Sequence, residues 1–209
     1  MTHHYRLVRS AVTLAALLLL PAMTLAVTKD HSAEIGLAYT FTHFDTQTTL
    51  EYRVSPTVMV GYNFTKRHGL EVEFTSTTAT TRKGPSFHVD VDTLRAGYVF
   101  NAFPKPKVVS FFRLGLGVWS IDPEPHKAGG SASRLDEGDT SVMLYSGGGF
   151  RFFITDRVAI RVAGSVDYID AGNGLNHGDI QGSGDLGFVF MMGGREPAEK
   201  PAAEEEKKP

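Results

Sequence analysis

Apolar and polar residues alternate along most of this chain in segments of about ten residues that end in tight turns. The pattern is plain in Ala33-Glu-Ile-Gly-Leu-Ala-Tyr-Thr-Phe41, Gly69-Leu-Glu-Val-Glu-Phe-Thr75, Ser110-Phe-Phe-Arg-Leu-Gly-Leu-Gly-Val-Trp119 and Asp156-Arg-Val-Ala-Ile-Arg-Val162. A period of two means strands, with one apolar face each. The residues between the apolar ones are glycine, threonine or charged. The alternation predicts eight strands, near 32–43, 53–64, 69–78, 87–100, 108–120, 141–154, 157–169 and 181–192. The connections 65–68, 101–107 and 154–157 are short. The connections 44–52, 79–86, 121–140 and 170–180 are longer and more polar. Short turns on one side and long loops on the other fit an all-β, eight-stranded, antiparallel up-and-down transmembrane β-barrel, with lipid outside and ion pairs or water inside.

The outward set then reads Ile35, Leu37, Tyr39 and Phe41 on the first strand and Phe112, Leu114, Leu116 and Val118 on the fifth, with equivalents on the others. Tyr62, Phe64, Tyr98, Phe100, Phe103, Phe150, Phe152 and Phe190 gather at the short-turn ends. Tyr39, Phe41 and Tyr168 lie toward the other ends. Two aromatic girdles around an aliphatic band suit the two interfaces of a bilayer. The fourth strand breaks the pattern: Val89 and Val91 have the opposite parity from Leu94 and Tyr98. A bulge near Asp92-Thr93 would reconcile them.

The inward set carries the chemistry. It contains Glu34, Glu71, Glu73, Asp167 and Asp185 against Arg95, Arg113, Arg151 and Arg161. The turn at Asp156 sets Arg151 opposite Arg161, and the turn near Pro104 sets Arg95 opposite Arg113. Like charges side by side are unfavourable on a sheet unless each reaches a carboxylate elsewhere. The expectation is a basic wall on strands four to seven facing a mostly acidic wall on strands eight, one and three. Inward glycines (among them Gly36, Gly97, Gly115 and Gly187) leave room for the long arginines. Two readings stand. In one, the pairs fill a lumen that is just wide enough for its own side chains. In the other, they form a gate for water or ions.

Composition and the chain ends narrow the setting. Arg6 and Arg9, the apolar run Ala11 to Leu20 and the small residues up to Ala26 make residues 1–26 a signal peptide, cleaved near Ala26. Residues 27–194 form the barrel domain. Residues 195–209, rich in proline, alanine and charge, form a disordered periplasmic tail. The chain has no cysteine, which excludes disulfides, thiolate metal sites and a lipid-modified N-terminal cysteine. With 21 Lys+Arg against 23 Asp+Glu there is no electrostatic case for nucleic acid. No cofactor and no metal is expected. The histidines lack ligand spacing, and Asp136, Glu137 and Asp139 lack a calcium-loop pattern.

Leu144-Tyr-Ser-Gly-Gly-Gly-Phe-Arg-Phe-Phe-Ile-Thr-Asp-Arg-Val-Ala-Ile-Arg-Val162 resembles the glycine-rich sixth strand, turn and seventh strand of small OmpA-like outer-membrane barrels. Gly69-Leu-Glu-Val-Glu-Phe74 and Phe112-Arg-Leu-Gly-Leu-Gly117 resemble that family's third and fifth strands. The resemblance covers most of residues 32–192. It implies residence in the outer membrane of a Gram-negative bacterium and insertion by the barrel assembly machinery. The aromatic ending that serves such insertion would be Gly187-Phe-Val-Phe190, followed here by Met191-Met-Gly-Gly194. The peptidoglycan-binding domain of larger members is not carried over.

The function expected is that of a non-enzymatic monomeric barrel with a largely closed, ion-paired lumen. Its partners are outer-membrane lipid and a surface ligand taken through loops 121–140 and 170–180, where function sits on such scaffolds. Three alternatives remain: a lipid acyl hydrolase or transferase using His177, Asp179, His88, His43 or His126 near the rim, a soluble secreted ligand-binding barrel, and a narrow small-solute pore.

Overall fold

A computed structural model describes residues 30–44, 50–80, 88–104, 107–123, 139–169 and 179–195. The expected signal segment, the tail after residue 195 and most of loops 121–140 and 170–180 lie outside the described residues. So do Asp136 and Glu137. The described residues form eight strands: β1 (Asp30–His43), β2 (Arg53–Asn63), β3 (His68–Thr80), β4 (His88–Pro104), β5 (Val108–Pro123), β6 (Asp139–Phe153), β7 (Val158–Ile169) and β8 (Asp179–Arg195). Each pairs antiparallel with its sequence neighbours, and β8 closes on β1 through Leu37↔Phe188 and its flanking pairs. Closure removes the edge strands that would otherwise expose unpaired backbone to lipid.

Two short turns use the same device. In the turn 64–67, Thr65 Oγ1 accepts from the backbone N–H groups of Arg67 (3.2 Å) and His68 (3.1 Å). In the turn 154–157, Thr155 Oγ1 accepts from Arg157 (3.2 Å) and Val158 (3.1 Å). A threonine at the second turn position thus satisfies donors that the sheet ladder leaves over.

β4, β5, β6 and β8 run 17, 16, 15 and 17 residues, well beyond the about 9–11 that cross a bilayer. β4 and β5 stay paired out to Val89↔Pro123 at the long-loop end, and there the polarity inverts. In mid-barrel, Leu94, Leu114, Leu116 and Leu186 face outward and charges face inward. At the long-loop end of β4 and β5, Asp90, Asp92 and Asp122 take the outward parity while Val89, Val91, Trp119 and Ile121 are buried inside. This corrects the bulge expected near Asp92-Thr93. The register of β4 runs unbroken from His88 to Phe100 against β3 and from Val89 to Asn101 against β5, and its irregularity falls at Asn101/Phe103. Val89 and Val91 keep the parity of Arg95 because, beyond the hydrocarbon layer, an apolar side chain is better placed inside.

The second correction concerns Arg95 and Arg113. They are not opposite one another. Arg95 pairs with Gly117 and Arg113 with Val99. The connection is centred between Pro104 and Val109, which moves the register by five residues, and the irregularity at Asn101/Phe103 takes one back, leaving an offset of four. Arg151 and Arg161 do face each other.

The β2–β3 ladder stops at Thr57↔Thr75, next to Pro56, which has no N–H to donate. Contact resumes where Glu51 N–H donates to Thr80 C=O (3.0 Å). The irregular stretch turns Leu50 inward. Leu50 and Phe44, from the two ends of the first long loop, join Ala79, Val89, Val91, Trp119, Ile121, Met143 and Ile169 in one buried apolar cluster that fills the barrel mouth.

Candidate functional site: the filled lumen

Below that apolar cluster the interior becomes polar in two steps. The first is a layer of hydroxyls. Thr40 and Thr57 are 2.5 Å apart, Thr57 and Thr75 are 2.7 Å apart, and Thr40 donates to Asp185 (2.8 Å). A cavity of about 10 Å³ lined by Thr40, Thr42, Thr75, Thr77, Arg95 and Gln181 lies here. That is room for about one water molecule.

The second step is the layer of ion pairs. Arg161 meets Glu71 with both terminal nitrogens, one at 2.8 Å, and reaches Glu73 at 3.0 Å. Arg113 contacts Glu73, lies 2.8 Å from Asp185 and 3.5 Å from Glu71. Arg95 contacts Asp167 and lies 3.6 Å from Glu73. Arg151 sits closer to the short-turn end, 3.1 Å from Glu34 and 3.7 Å from Glu71. All nine side chains are buried. Glu71 and Glu73 each meet three arginines, so β3 supplies the centre of the network.

The two-wall arrangement is only approximate. Arg113, Arg151 and Arg161 reach across the lumen, but Glu73 and Arg95 are direct cross-strand partners, and Asp167 stands on β7 beside the arginine strands. Burying any of these charges alone would cost several kcal/mol. Together the five carboxylates and four guanidiniums nearly neutralise one another.

Sequence reasoning missed two aromatic side chains that organise the arginines. The guanidiniums of Arg151 and Arg161 lie 4.6 and 4.7 Å from the centroid of the Phe111 ring. Those of Arg95 and Arg113 both lie 5.9 Å from the Tyr145 ring. Each like-charged pair thus shares one aromatic ring, whose π-face attracts cations electrostatically. Parity was the available signal, since Phe111 and Tyr145 fall on the inward register. The inward glycines also serve a different purpose from the one expected. A Cβ on Gly97 would lie 2.3 Å from the Tyr145 hydroxyl, and one on Gly36 would lie 2.3 Å from Met59 Cγ. At Gly36, Gly97 and Gly117 the room is taken by Met59, Tyr145 and Met143, and at Gly187 by Leu37 C=O and Ala38 of the neighbouring strand.

At the short-turn end, Asn63 donates to Glu34 (2.5 Å) and Ser32 (3.1 Å), and Asn101 accepts from Arg151 (3.0 Å). Val189, Met191, Ala38 and Met59 pack beside them.

The rim histidines form no catalytic arrangement among the described residues. His43 stacks on Tyr52 with centroids 4.5 Å apart, and His88 Nδ1 lies 3.5 Å from Thr80 Oγ1. His126 and His177 lie outside the described residues, as does the side chain of Asp179. Among the described residues there is no group of three or more His, Asp or Glu placed to hold a metal.

The family described as the outer membrane protein beta-barrel domain matches residues 12–188. Among solved structures the chain is similar to Neisserial surface protein A, at 18% identity and a TM-score of 0.54, covering 77% of this chain and 95% of that one. It is similar to the outer membrane protein OprG of Pseudomonas aeruginosa, at 11% identity and a TM-score of 0.55, covering 78% and 97%. It is also similar to Ail, the attachment invasion locus protein of Yersinia pestis, solved with the heparin analogue sucrose octasulfate, at 19% identity and a TM-score of 0.50, covering 78% and 99%. At these identities the likeness is one of fold. No curated protein sequence is significantly similar to the chain.

Proposed function

The chain belongs to the outer-membrane β-barrel family of Gram-negative bacteria, and from that premise we propose that it is a non-enzymatic barrel with a closed lumen that presents its long loops at the cell surface. The observation that carries this reading is the stacking of two seals. An apolar cluster that includes Trp119 fills the mouth, and a buried layer of ion pairs fills the waist. An ion crossing such a barrel would have to break several charge-assisted hydrogen bonds and then enter an apolar plug, and each step is costly. The small-solute pore and the gate are therefore disfavoured.

In this reading the short turns face the periplasm and the long loops, including 121–140 and 170–180, carry any surface ligand. The barrel is a monomer inserted by the barrel assembly machinery, and its tail is periplasmic. The sulfated ligand of the Ail structure is not carried over. The described outward charges at the long-loop end are Asp90, Asp92 and Asp122, beside the Glu51–Arg53 pair (3.2 Å), and so are mainly of the ligand's own sign. A rim hydrolase finds no support in His43 or His88, whose described contacts are a tyrosine ring and a threonine hydroxyl.

The test has two stages. The mature chain refolded in detergent micelles is run unheated and heated on a gel, beside a detergent-free control. A faster unheated band that needs detergent is expected. The same protein in a planar bilayer should give no steady conductance. Stable open channels of uniform size would reject the closed lumen while leaving the fold intact.

A further inference from the structure

The short-turn mouth of the barrel carries cations that the lumen network does not use. Arg67 precedes β3, Lys107 precedes β5 and Arg157 precedes β7. They keep the parity of the inward residues that follow. Arg67 has that of Gly69 and Glu71, Lys107 that of Val109 and Phe111, and Arg157 that of Ala159 and Arg161. The backbone pairs agree. Asn101 N–H donates to the Arg67 carbonyl (2.8 Å), Phe153 N–H to that of Lys107 (2.9 Å) and Met191 N–H to that of Arg157 (2.7 Å). Asn101 and Met191 are buried inside, and Phe153 packs against the interior cluster of Met59, Val189 and Met191. Cross-strand partners share a face, so the three cations stand over the lumen mouth. Alternate strands carry them, about 10 Å apart, along the β3–β7 half of the rim.

Lys66 adds a fourth charge beside Arg67, and its carbonyl accepts from Asn101 Nδ2 (3.1 Å). Arg67 and Lys107 are exposed, and Lys66 and Arg157 are half-buried. The lumen carboxylate of this end, Glu34, is already engaged by Arg151 (3.1 Å) and Asn63 (2.5 Å). The other described acids here are Asp156 and Asp30, and one Asp30 oxygen accepts from the Lys66 N–H (2.8 Å). Among the described residues, none of the four cations forms an ion pair.

The chain supplies an acidic counterpart at the same end. β8 leaves the barrel there, since Arg195 pairs with Asp30. From it runs Glu196-Pro-Ala-Glu-Lys-Pro-Ala-Ala-Glu-Glu-Glu206, with five glutamates against one lysine, before Lys207 and Lys208. Glu204, Glu205 and Glu206 are the longest uninterrupted run of one charge sign in the sequence. An extended chain spans at most about 3.3–3.6 Å per residue, so these three can lie up to about 30 Å from Arg195. Arg157 precedes the strand next to β8, and Lys107 and Arg67 precede strands three places away on either side. All three cations therefore lie within about 15 Å of β8 along the rim, well inside the reach of the glutamates.

We propose that Glu204, Glu205 and Glu206 dock on Arg67, Lys107 and Arg157, with Lys66 beside them, and strap the tail across the short-turn mouth. Each carboxylate accepts charge-assisted hydrogen bonds from a guanidinium or an ammonium. One exposed pair is weak. Tethering, however, holds the two sets of charges at an effective concentration in the millimolar range, and several pairs then act together. The strap closes the end opposite the apolar plug and keeps other anions from the cations. Charge alone holds it, so salt releases it.

The chain has no cysteine, so Ala203→Cys takes a single nitroxide label beside the glutamates. In the mature protein folded in zwitterionic micelles, the label should broaden the amide signals of Arg67, Lys107 and Arg157 at low salt. Signals of the long-loop end, such as those of Thr80 and Asp90, serve as the reference. In about 0.5 M salt the screening length falls to about 4 Å, and the broadening at the three cations should drop by about threefold or more. The labelled variant Glu204→Gln, Glu205→Gln, Glu206→Gln should show the weak broadening already at low salt. The matching substitutions by aspartate should keep the strong one. These changes leave every barrel contact in place, which an unchanged heat-modifiable band checks. Broadening at the cations that is indifferent to salt, or equal in the glutamine variant, would overturn the proposal. So would broadening confined to β8 and its neighbours, as a tethered but undocked tail produces. The cations would then be left to an anionic partner outside the chain.

Discussion

Replacing Arg161 with methionine tests the energetic reading of the lumen. The side chain is fully buried. It meets Glu71 with two nitrogens, Glu73 at 3.0 Å and the face of Phe111 at 4.7 Å. Methionine restores much of the volume but none of the charge. The interior then holds five carboxylates against three guanidiniums. Removing one partner of a buried pair costs about 3–5 kcal/mol, mainly because the other charge stays behind. Here Glu71 keeps Arg113 at 3.5 Å and Arg151 at 3.7 Å, which puts the expected loss near the lower limit, about 3 kcal/mol. Trp119 is the chain's one tryptophan and is 1% exposed, so its fluorescence follows denaturant unfolding in micelles. The midpoint should fall while the slope stays constant, marking a change in stability rather than in the states compared. The double variant Arg161→Met, Glu71→Gln should lose less than the sum of the singles by about 1 kcal/mol or more, since the two residues share contacts. If Arg161→Met unfolds within about 0.5 kcal/mol of the wild type, the pairs are water-screened rather than buried. The closed lumen would then lose its basis.

Three further outcomes follow from the packing. Gly115→Ala would set a Cβ 2.2 Å from the Ala96 carbonyl oxygen, whereas Gly184→Ala finds its nearest neighbour at 3.9 Å. The first should cost about 3 kcal/mol or more and deplete the heat-modifiable band, and the second should leave it unchanged. Ile169→Ala opens the apolar plug and should cost about 2–5 kcal/mol, with a red shift of Trp119 emission in the folded protein. Leu116→Arg, on the outward face of mid-barrel, should cost about 2–4 kcal/mol in a bilayer. Thr78→Arg, outward beside Asp90 at the long-loop end, should be tolerated in the same denaturant titration.

What the chain alone determined is the strand count, the alternation and the identity of the inward charges. All three depend on local chemistry. A strand sends successive side chains to opposite faces, so parity sorts Glu71 and Glu73 from Leu70, Val72 and Phe74 without knowledge of any partner. Turn residues such as Thr155 likewise act within a few positions. The tertiary structure decided which charge meets which. Arg95 and Arg113 lie four residues out of the alignment expected from their turn, because the turn is centred between Pro104 and Val109 rather than at Pro104, and its position fixes the register along the whole strand pair, less the one residue returned at Asn101/Phe103. It also decided the sense of inside and outside at the barrel mouth. Val89 and Val91 read as a fault in a lipid-facing strand when lipid is taken to surround its full length. With strands longer than the bilayer is thick, the same parity buries them against Trp119 and Ile169. Solvent outside the barrel changes from lipid to water along a single strand, and only closure of the sheet with its neighbours in register shows where.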